Sequence, residues 1–234
     1  MKRIIFMVFV LAFGIFSIPL QSFAATVEES RSVSITVIDQ HSLFKSQVID
    51  ELLTLQRSLI IPPQIPIPEE NAKNGYLLVQ MAPEYVHHLL DKKQGIIVGA
   101  YQDHNLVGYV LLTDISEFKE LYEGGKLGSI ETSIDLSILR EQVGYIEQIA
   151  VKPGYSRRGI GRELMRVCQQ IKPEGLVADV FLSPLKNTAS LQFFSRLGFE
   201  QAGILHQHAR DNFPYSHRTQ IFFWNLSCYH GEVD

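Results

Sequence analysis

The stretch "YIEQIAVKPGYSRRGIGREL", residues 145–164, constrains the fold of this chain more than any other. Its first seven residues read as a strand, Pro153 and Gly154 mark a turn, and an amphipathic helix follows. The apolar positions of that helix, Leu164, Met165, Val167, Cys168 and Ile171, share one side and leave Arg162 and Arg166 elsewhere. Gly159 and Gly161 bracket the helix start, where no Cβ would keep a ligand from the backbone. The unpaired N–H groups and the dipole of a helix N-terminus favour an anion such as phosphate, and Arg157 and Arg158 add positive charge. A glycine turn with solvated arginines is the plainer alternative. The mononucleotide P-loop pattern fails, because no Gly-Lys-Ser/Thr follows. The dinucleotide pattern fits poorly, since Gly154 lies too far upstream and no third glycine enters the helix.

The remaining pattern places this unit in a mixed α/β (α+β) domain. "VSITVID" (33–39) alternates as a strand, and apolar residues between His41 and Ile60 follow a helical stripe. "IPPQIPIPEENAKNG" (61–75) cannot continue that helix, because its four prolines lack donors, and it reads as an ordered loop. "APEYVHHLLDKKQG" predicts a second short helix, with His87 and His88 on its surface. "GIIVGAYQD" and "LVGYVLLTD" predict a hairpin turning at Asp103–Asn105. Residues 115–143 form a long insertion of the kind that acts as a lid or binding loop, with a helical turn possible in "SEFKELYEGG". Beyond the central unit come the strand "LVADVFL", the helix "NTASLQFFSRLG" and the strands "FEQAGILH" and "TQIFFWNL". The expectation is one domain over 33–227, a sheet of about seven strands flanked by helices.

The N-terminus carries a different signal. Lys2 and Arg3 precede an uncharged, apolar run from Ile4 to Leu20 broken only by Ser17, and Ser22-Phe23-Ala24 offers small residues for a signal peptidase. Residues 1–24 are therefore expected to be a signal peptide cleaved after Ala24, giving an exported protein, periplasmic or secreted. The alternative is an uncleaved N-terminal membrane anchor through residues 4–20. The balance of 21 basic and 25 acidic residues argues against nucleic acid as a partner. Two cysteines, Cys168 and Cys228, are too few for a disulfide framework. Cys168 falls on the apolar helix side and reads as a buried thiol, with one bridge to Cys228 as the alternative. His206 and His208 share a strand face, but further ligands at zinc spacing are lacking, so no metal is expected and both read as pocket wall or surface.

The residues 145–164, followed by "NTASLQFFSRLGFEQAG" (187–203), resemble the GNAT superfamily of acetyl-CoA-dependent N-acetyltransferases. The first block is similar to its cofactor-binding strand, loop and helix, and the second to its later helix. The resemblance implies a central mixed, mostly antiparallel sheet. It further implies that main-chain groups of Ile149, Ala150 and Val151 pair with the pantetheine arm of acetyl-CoA. The turn Arg157, Arg158, Gly159, Ile160, Gly161 and Arg162 would cradle the pyrophosphate. Asn187 and Ser190 would lie beside the cofactor arm, although Asn187 is equally suited to cap a helix.

An ammonium of pKa about 10.4 must lose a proton before it can attack a thioester, so a base is needed. Glu147 is the candidate: alternation puts it on one sheet face with Tyr145 and Ile149, and apolar neighbours would raise its pKa. Relatives often carry an acid near this position. Two residues depart from the family pattern. Ser156 stands where Gln or Arg usually begins the loop, and Phe194 beside the cofactor stands where a tyrosine often protonates the leaving thiolate. Phe194 has no proton to give, and Tyr215, in "ARDNFPYSHR", is the candidate substitute.

The function expected is acetyl transfer to a primary amine of a small molecule or peptide. The acceptor would meet residues 41–95, 115–143 and 210–218, and the acid surplus suggests that it is cationic. The competing expectation is a catalytically weakened acyl-CoA-binding protein of the same fold, which Phe194 and export both favour. A homodimer is compatible with the sequence.

Overall fold

The computed structural model describes residues 32–62, 68–116, 118–119, 128–132, 139–209 and 216–225. These residues lie within the compact unit Arg31–Asp234. The expected leader at 1–24, Cys228 and Tyr215 fall outside the described residues.

One sheet organises the domain. Its strands are β1 (Ser34–Ile38), β2 (Gly95–Gln102), β3 (Asn105–Asp114), β4 (Gly128–Thr132), β5 (Gly144–Val151), β6 (Leu176–Ser183), β7 (Glu200–Gln207) and β8 (His217–Trp224). They are ordered β1-β2-β3-β5-β6-β8-β7-β4. Every neighbouring pair is antiparallel except β5 and β6, which run parallel. The expected hairpin forms with Gln102 opposite Asn105, and Asp103 and His104 take the positive φ of a two-residue turn.

The eighth strand is one more than the sequence predicts. β4 lies inside the 115–143 insertion and pairs with β7, from Gly128↔Gln207 to Thr132↔Gly203. "GSIET" is short and polar, so its strand character comes from β7 rather than from its own residues. Ile115, Phe118, Leu139 and Val143 from the same insertion pack into a cluster with Tyr145, Val177 and Phe223. The described part of the insertion is thus built into the core, which limits the lid expectation to residues outside it.

Helices cover both faces. α1 (Lys45–Leu59) buries Val48, Ile49, Leu52, Leu53 and Leu55 of the expected apolar stripe and Gln56 besides, whereas Leu43 lies ahead of the helix and is exposed. α2 (Glu69–Asn74) begins after Pro68, within the segment read as loop. A proline ahead of the first turn donates no hydrogen bond that the helix needs, so it ends one element and starts the next. α3 (Pro83–Asp91) buries Val86, Leu89 and Leu90 and packs with α1 against Ile97, Leu106, Tyr109 and Leu111. On the opposite face, α4 (Ile160–Ile171) and α5 (Thr188–Arg196) pack against Val98, Val110, Leu112 and Ile146. α4 buries Ile160, Leu164, Met165 and Cys168, each large side chain stabilising the domain by about 1.5–3 kcal/mol.

Candidate active site

The site originates where two parallel strands part. β5 and β6 pair only at Gly144↔Leu176, Tyr145↔Val177 and Ile146↔Ala178. Beyond that point β5 continues on its other side along β3 as far as Val151, and β6 continues along β8 as far as Ser183. Each strand therefore presents an inner edge that its former partner no longer fills. The fork opens into a cleft of ≈ 500 Å³ lined by both prongs, by Tyr76–Val79 and Met81, and by Asn187, Ser190 and Phe194 of the α5 region.

A bulge marks the apex. Ile146 faces Leu112 and Gln148 faces Leu111, which leaves Glu147 as the extra residue on β5. A bulge bends its strand and re-aims a side chain. Glu147 is half-buried and lines the cleft. The alternation expected to put Tyr145, Glu147 and Ile149 on one face is broken here. Tyr145 packs into the cluster beneath the insertion, whereas Ile149 packs with Ile146 on the α4 face. All three nevertheless reach the cleft.

Buried polar groups hold the bulge in register. Gln56, fully buried on α1, donates from Nε2 to Gln148 Oε1 at 2.8 Å and accepts the Met81 N–H at 3.0 Å. The Tyr109 hydroxyl also donates to Gln148 Oε1. Two donors on one oxygen fix which way the Gln148 amide points. Burial raises the Tyr109 phenol far above its ordinary range, which keeps it a donor. At the apex, the Tyr145 hydroxyl donates to Asp179 Oδ1 at 2.5 Å. Burial first, then the charges of Asp179 and Glu147, hold the Tyr145 phenol well above its usual value.

The α5 wall is equally tied down. Asn187 accepts the Ser190 N–H at 3.1 Å, the helix cap that the sequence allows. Its Nδ2 donates to the Tyr76 carbonyl at 3.3 Å, and the Tyr76 hydroxyl donates to the Leu185 carbonyl at 2.9 Å. Burial raises the Tyr76 phenol above its ordinary range. Phe194 is 2% exposed and sits edge-on to Phe193 and Phe199 and stacked near Phe222.

The glycine turn follows the open edge of β5. Gly159 caps α4 with φ of 85°, and Arg157 also has positive φ. Arg157, Arg158 and Arg162 are exposed, and the Arg158 guanidinium lies 5.2 Å from the centre of the Tyr155 ring. Ile160 is buried beneath the turn. Gly161 meets a different demand: a Cβ there would lie 3.1 Å from Phe193 Cε2, so its missing side chain lets α4 approach α5. None of residues 157–162 lines the cleft itself.

The structure thus gathers Glu147, Ile149, Asn187, Ser190 and Phe194 in one cleft, with Ala150 and Val151 in the strand just beyond. Ala150 packs into the core toward α1 and its main chain turns to β3, as that of Lys152 does, so the main chain facing the gap is that of Ile149 and Val151. His206 is not a wall of the cleft: its Nε2 lies 3.1 Å from Glu131 Oε1 at the β4–β7 edge. His217, opposite Gln207 and 5.0 Å from Phe181 between ring centres, lines the cleft instead. Asp179 is the residue that sequence reasoning passed over. An aspartate inside the otherwise apolar "LVADVFL" was its signal. Among the described residues, no group of three or more His, Cys, Asp or Glu could hold a metal ion.

Comparison with known proteins agrees with this geometry. The sequence profile of the acetyltransferase (GNAT) family matches residues 65–199, more than half of the chain. A search of curated protein sequences finds no match. Among solved structures, an N-acetyltransferase from Staphylococcus aureus Mu50 is similar at 16% identity and TM-score 0.54, over 84% of this chain and 99% of that one. The smu.2055 protein of Streptococcus mutans UA159 is similar at 16% identity and TM-score 0.53, over 82% and 99%. Arabidopsis thaliana NAA60, solved in complex with acetyl-CoA, is similar at 15% identity and TM-score 0.52, over 82% and 99%. These likenesses establish the shared fold; with the profile match over residues 65–199, the chain belongs to the acetyltransferase (GNAT) family, whose acetyl donor is acetyl-CoA.

Proposed function

We propose that this protein transfers the acetyl group of acetyl-CoA to a primary amine, of a small molecule or a peptide, by direct attack. The observation that carries this reading is the unfilled inner edge of β5 beyond Ile146, which leads into the left-handed turn at the start of α4. Along that edge the main-chain N–H and C=O groups of Ile149 and Val151 suit the amides of a pantetheine arm as an added strand would, whereas those of Ala150, expected to join them, turn to β3. The first-turn amides of α4, with Arg157, Arg158 and Arg162 around them, suit a pyrophosphate. Asn187 has both side-chain ends engaged and serves the site by bracing its wall. When bound, acetyl-CoA supplies an activated acyl thioester.

Glu147 takes the proton that the ammonium must lose, directly or through water, and the freed nitrogen bonds to the acyl carbon as the carbon–sulfur bond breaks, passing its surplus proton to solvent to leave the neutral amide. Phe194 offers no proton to the departing sulfur. A thiol of pKa about 8.5 leaves as thiolate near neutrality and takes a proton from solvent. Losing an acid that usually contributes roughly 10²–10⁴-fold slows this reaction without abolishing it.

Phe194 also favours a second reading, an acyl-CoA-binding protein without turnover, because its ring is locked in an aromatic cluster. We further propose that residues 1–24 direct export and are cleaved after Ala24, and mass spectrometry of the native N-terminus tests this. Calorimetric titration with acetyl-CoA, followed by free-thiol release across a panel of amines, tests the function. Binding with amine-dependent thiol release is expected, and Glu147→Gln lowers the rate and changes its pH profile. Binding without turnover selects the second reading, and absence of binding overturns both.

A further inference from the structure

The cleft uses only one side of α5. Asn187, Ser190 and Phe194 of that region face the fork. Thr188, Leu191, Gln192, Ser195 and Arg196 recur at helical spacing on another side and line a second cavity of ≈ 490 Å³. Its opposite wall is the sheet, through Leu182 of β6, Gln220 and Phe222 of β8 and Gln201 of β7. The cavity is therefore a groove between a helix and the strands beside it, with Leu182, Leu191 and Phe222 as its apolar residues.

The groove carries charge of one sign. Lys186 and Arg196 line it, both exposed, and no acidic residue lines it among the described residues. Lys186 makes no hydrogen bond or ion pair with a described residue, and Arg196 reaches only Gln192 Oε1, at 3.4 Å. Arg218, on the sheet face of Gln220, adds a third cation and donates from Nε to Ser183 Oγ at 2.8 Å. The nearby acids do not cancel these charges. Glu131 lies 3.1 Å from His206 Nε2, and Glu200 is on the other sheet face, opposite Phe223. On α2, which packs against α5, Glu69 pairs with Lys73 at 2.6 Å and Glu70 lines neither cavity.

Both walls also carry side-chain amides. Gln220 is 8% exposed, and its Nε2 donates to the Gly203 carbonyl at 2.8 Å and the Ile221 carbonyl at 3.2 Å. Two carbonyls require the NH2 end of the amide there, so Oε1 remains an acceptor without a donor among the described residues. Gln192 on the helix and Gln201 on the strand are exposed and each offer a donor and an acceptor. Such amides suit the N–H and C=O groups of an extended peptide.

We propose that this groove binds an extended acidic segment of a partner protein, with two acidic residues four apart and an apolar residue midway. The spacing follows from the cations. From Lys186 to Arg196 the chain advances about 15 Å at the rise of a helix. In an extended chain, alternate residues share one side, and four residues span about 13 Å. The two acids meet Lys186 and Arg196, whose long side chains take up the difference, and the middle residue meets Leu191 and Phe222. A basic segment meets like charge at both ends and is rejected. Because the groove and the cleft use different sides of α5, binding here does not depend on the acetyl-transfer reading.

The test titrates two blocked seven-residue peptides into the full protein by calorimetry at low salt. One carries glutamate at its second and sixth positions and leucine at its fourth, with serine and glycine elsewhere. In the other, lysine replaces both glutamates. The acidic peptide is expected to bind saturably, about tenfold or more tightly than the basic one, and to weaken as salt rises. Lys186→Glu combined with Arg196→Glu inverts that preference, while Tm moves by less than about 2 °C. A merely structural loss would weaken both peptides instead of exchanging them. No saturable binding of the acidic peptide, equal binding of the two, or a preference that survives the double reversal overturns the proposal. Sedimentation of the wild type is the companion measurement: a dimer that the double reversal dissociates assigns the groove to a second copy and overturns it as well.

Discussion

Gly159 and Gly161 stand two residues apart in one turn, and the structure gives them different reasons to be glycine. Gly159 has φ of 85° and open space where a Cβ would point. Alanine there meets no steric contact, so the cost is backbone strain alone, about 1–2 kcal/mol for a side chain in the left-handed region. Reduced freedom of the unfolded chain returns about 0.4–1 kcal/mol, leaving a net loss near 1 kcal/mol. For a domain of this size that lowers Tm by about 2–4 °C. Any relaxation of the turn rotates the first amides of α4 away from an anion, and acetyl-CoA affinity is expected to fall about tenfold.

Gly161→Ala perturbs packing instead. Its Cβ would stand 3.1 and 3.2 Å from Phe193 Cε2 and Cζ, and the Phe193 ring is only half-buried, so it can yield. A gain of up to about 1 kcal/mol in helix propensity offsets that adjustment. The main-chain N–H stays where it was. Stability should therefore stay within about 1 kcal/mol of wild type, with donor affinity nearly unchanged. Thermal unfolding and calorimetric titration with acetyl-CoA measure both quantities. Equal loss of affinity in the two variants, or no effect of Gly159→Ala on either quantity, refutes this division of roles.

Other consequences follow from the same geometry. Phe194→Tyr places a hydroxyl at the cleft wall and should raise kcat by about tenfold or more, read by free-thiol release; an unchanged kcat contradicts a missing acid at this position. Asn187→Ala removes the α5 cap and the tie to the Tyr76 carbonyl, costing about 1–2 kcal/mol in denaturant unfolding. Burial pushes the Cys168 thiol from its ordinary 9.0 up to about 12. Between those values the unfolded chain has lost a proton that the folded chain keeps. This contribution to stability is therefore complete below about pH 9 and falls as pH rises toward 12. Denaturant unfolding across that window should show the decline, and Cys168→Ala should reduce it.

The elements legible in the sequence were those whose own residues carry the pattern. α1 and α4 bury the stripes that their spacing predicts, and the β2–β3 hairpin turns where Asp103, His104 and Asn105 say it should. β4 was not legible, because "GSIET" has no apolar alternation and becomes a strand only against β7. The bulge at Glu147 was hidden for a related reason. It is a mismatch of register between β5 and β3, and neither strand alone reveals it. Period-two reasoning consequently misassigned Ile149 to the face of Tyr145. Asn187 and Ser190 were found through resemblance, whereas the Tyr145–Asp179 contact joins residues 34 apart and required the fold. Net charge hinted at a cationic acceptor only weakly. The lining of the cleft holds Glu147, Asp179 and His217.

The central claim is that the open edge of β5 and the turn before α4 together receive acetyl-CoA. Amide hydrogen exchange, residue by residue with and without saturating acetyl-CoA, tests it most directly. The account predicts new protection in two places: at amides of residues 147–151 that do not already pair with β3, and at residues 158–162. Saturable binding of acetyl-CoA that leaves both segments exchanging at their original rates would contradict it.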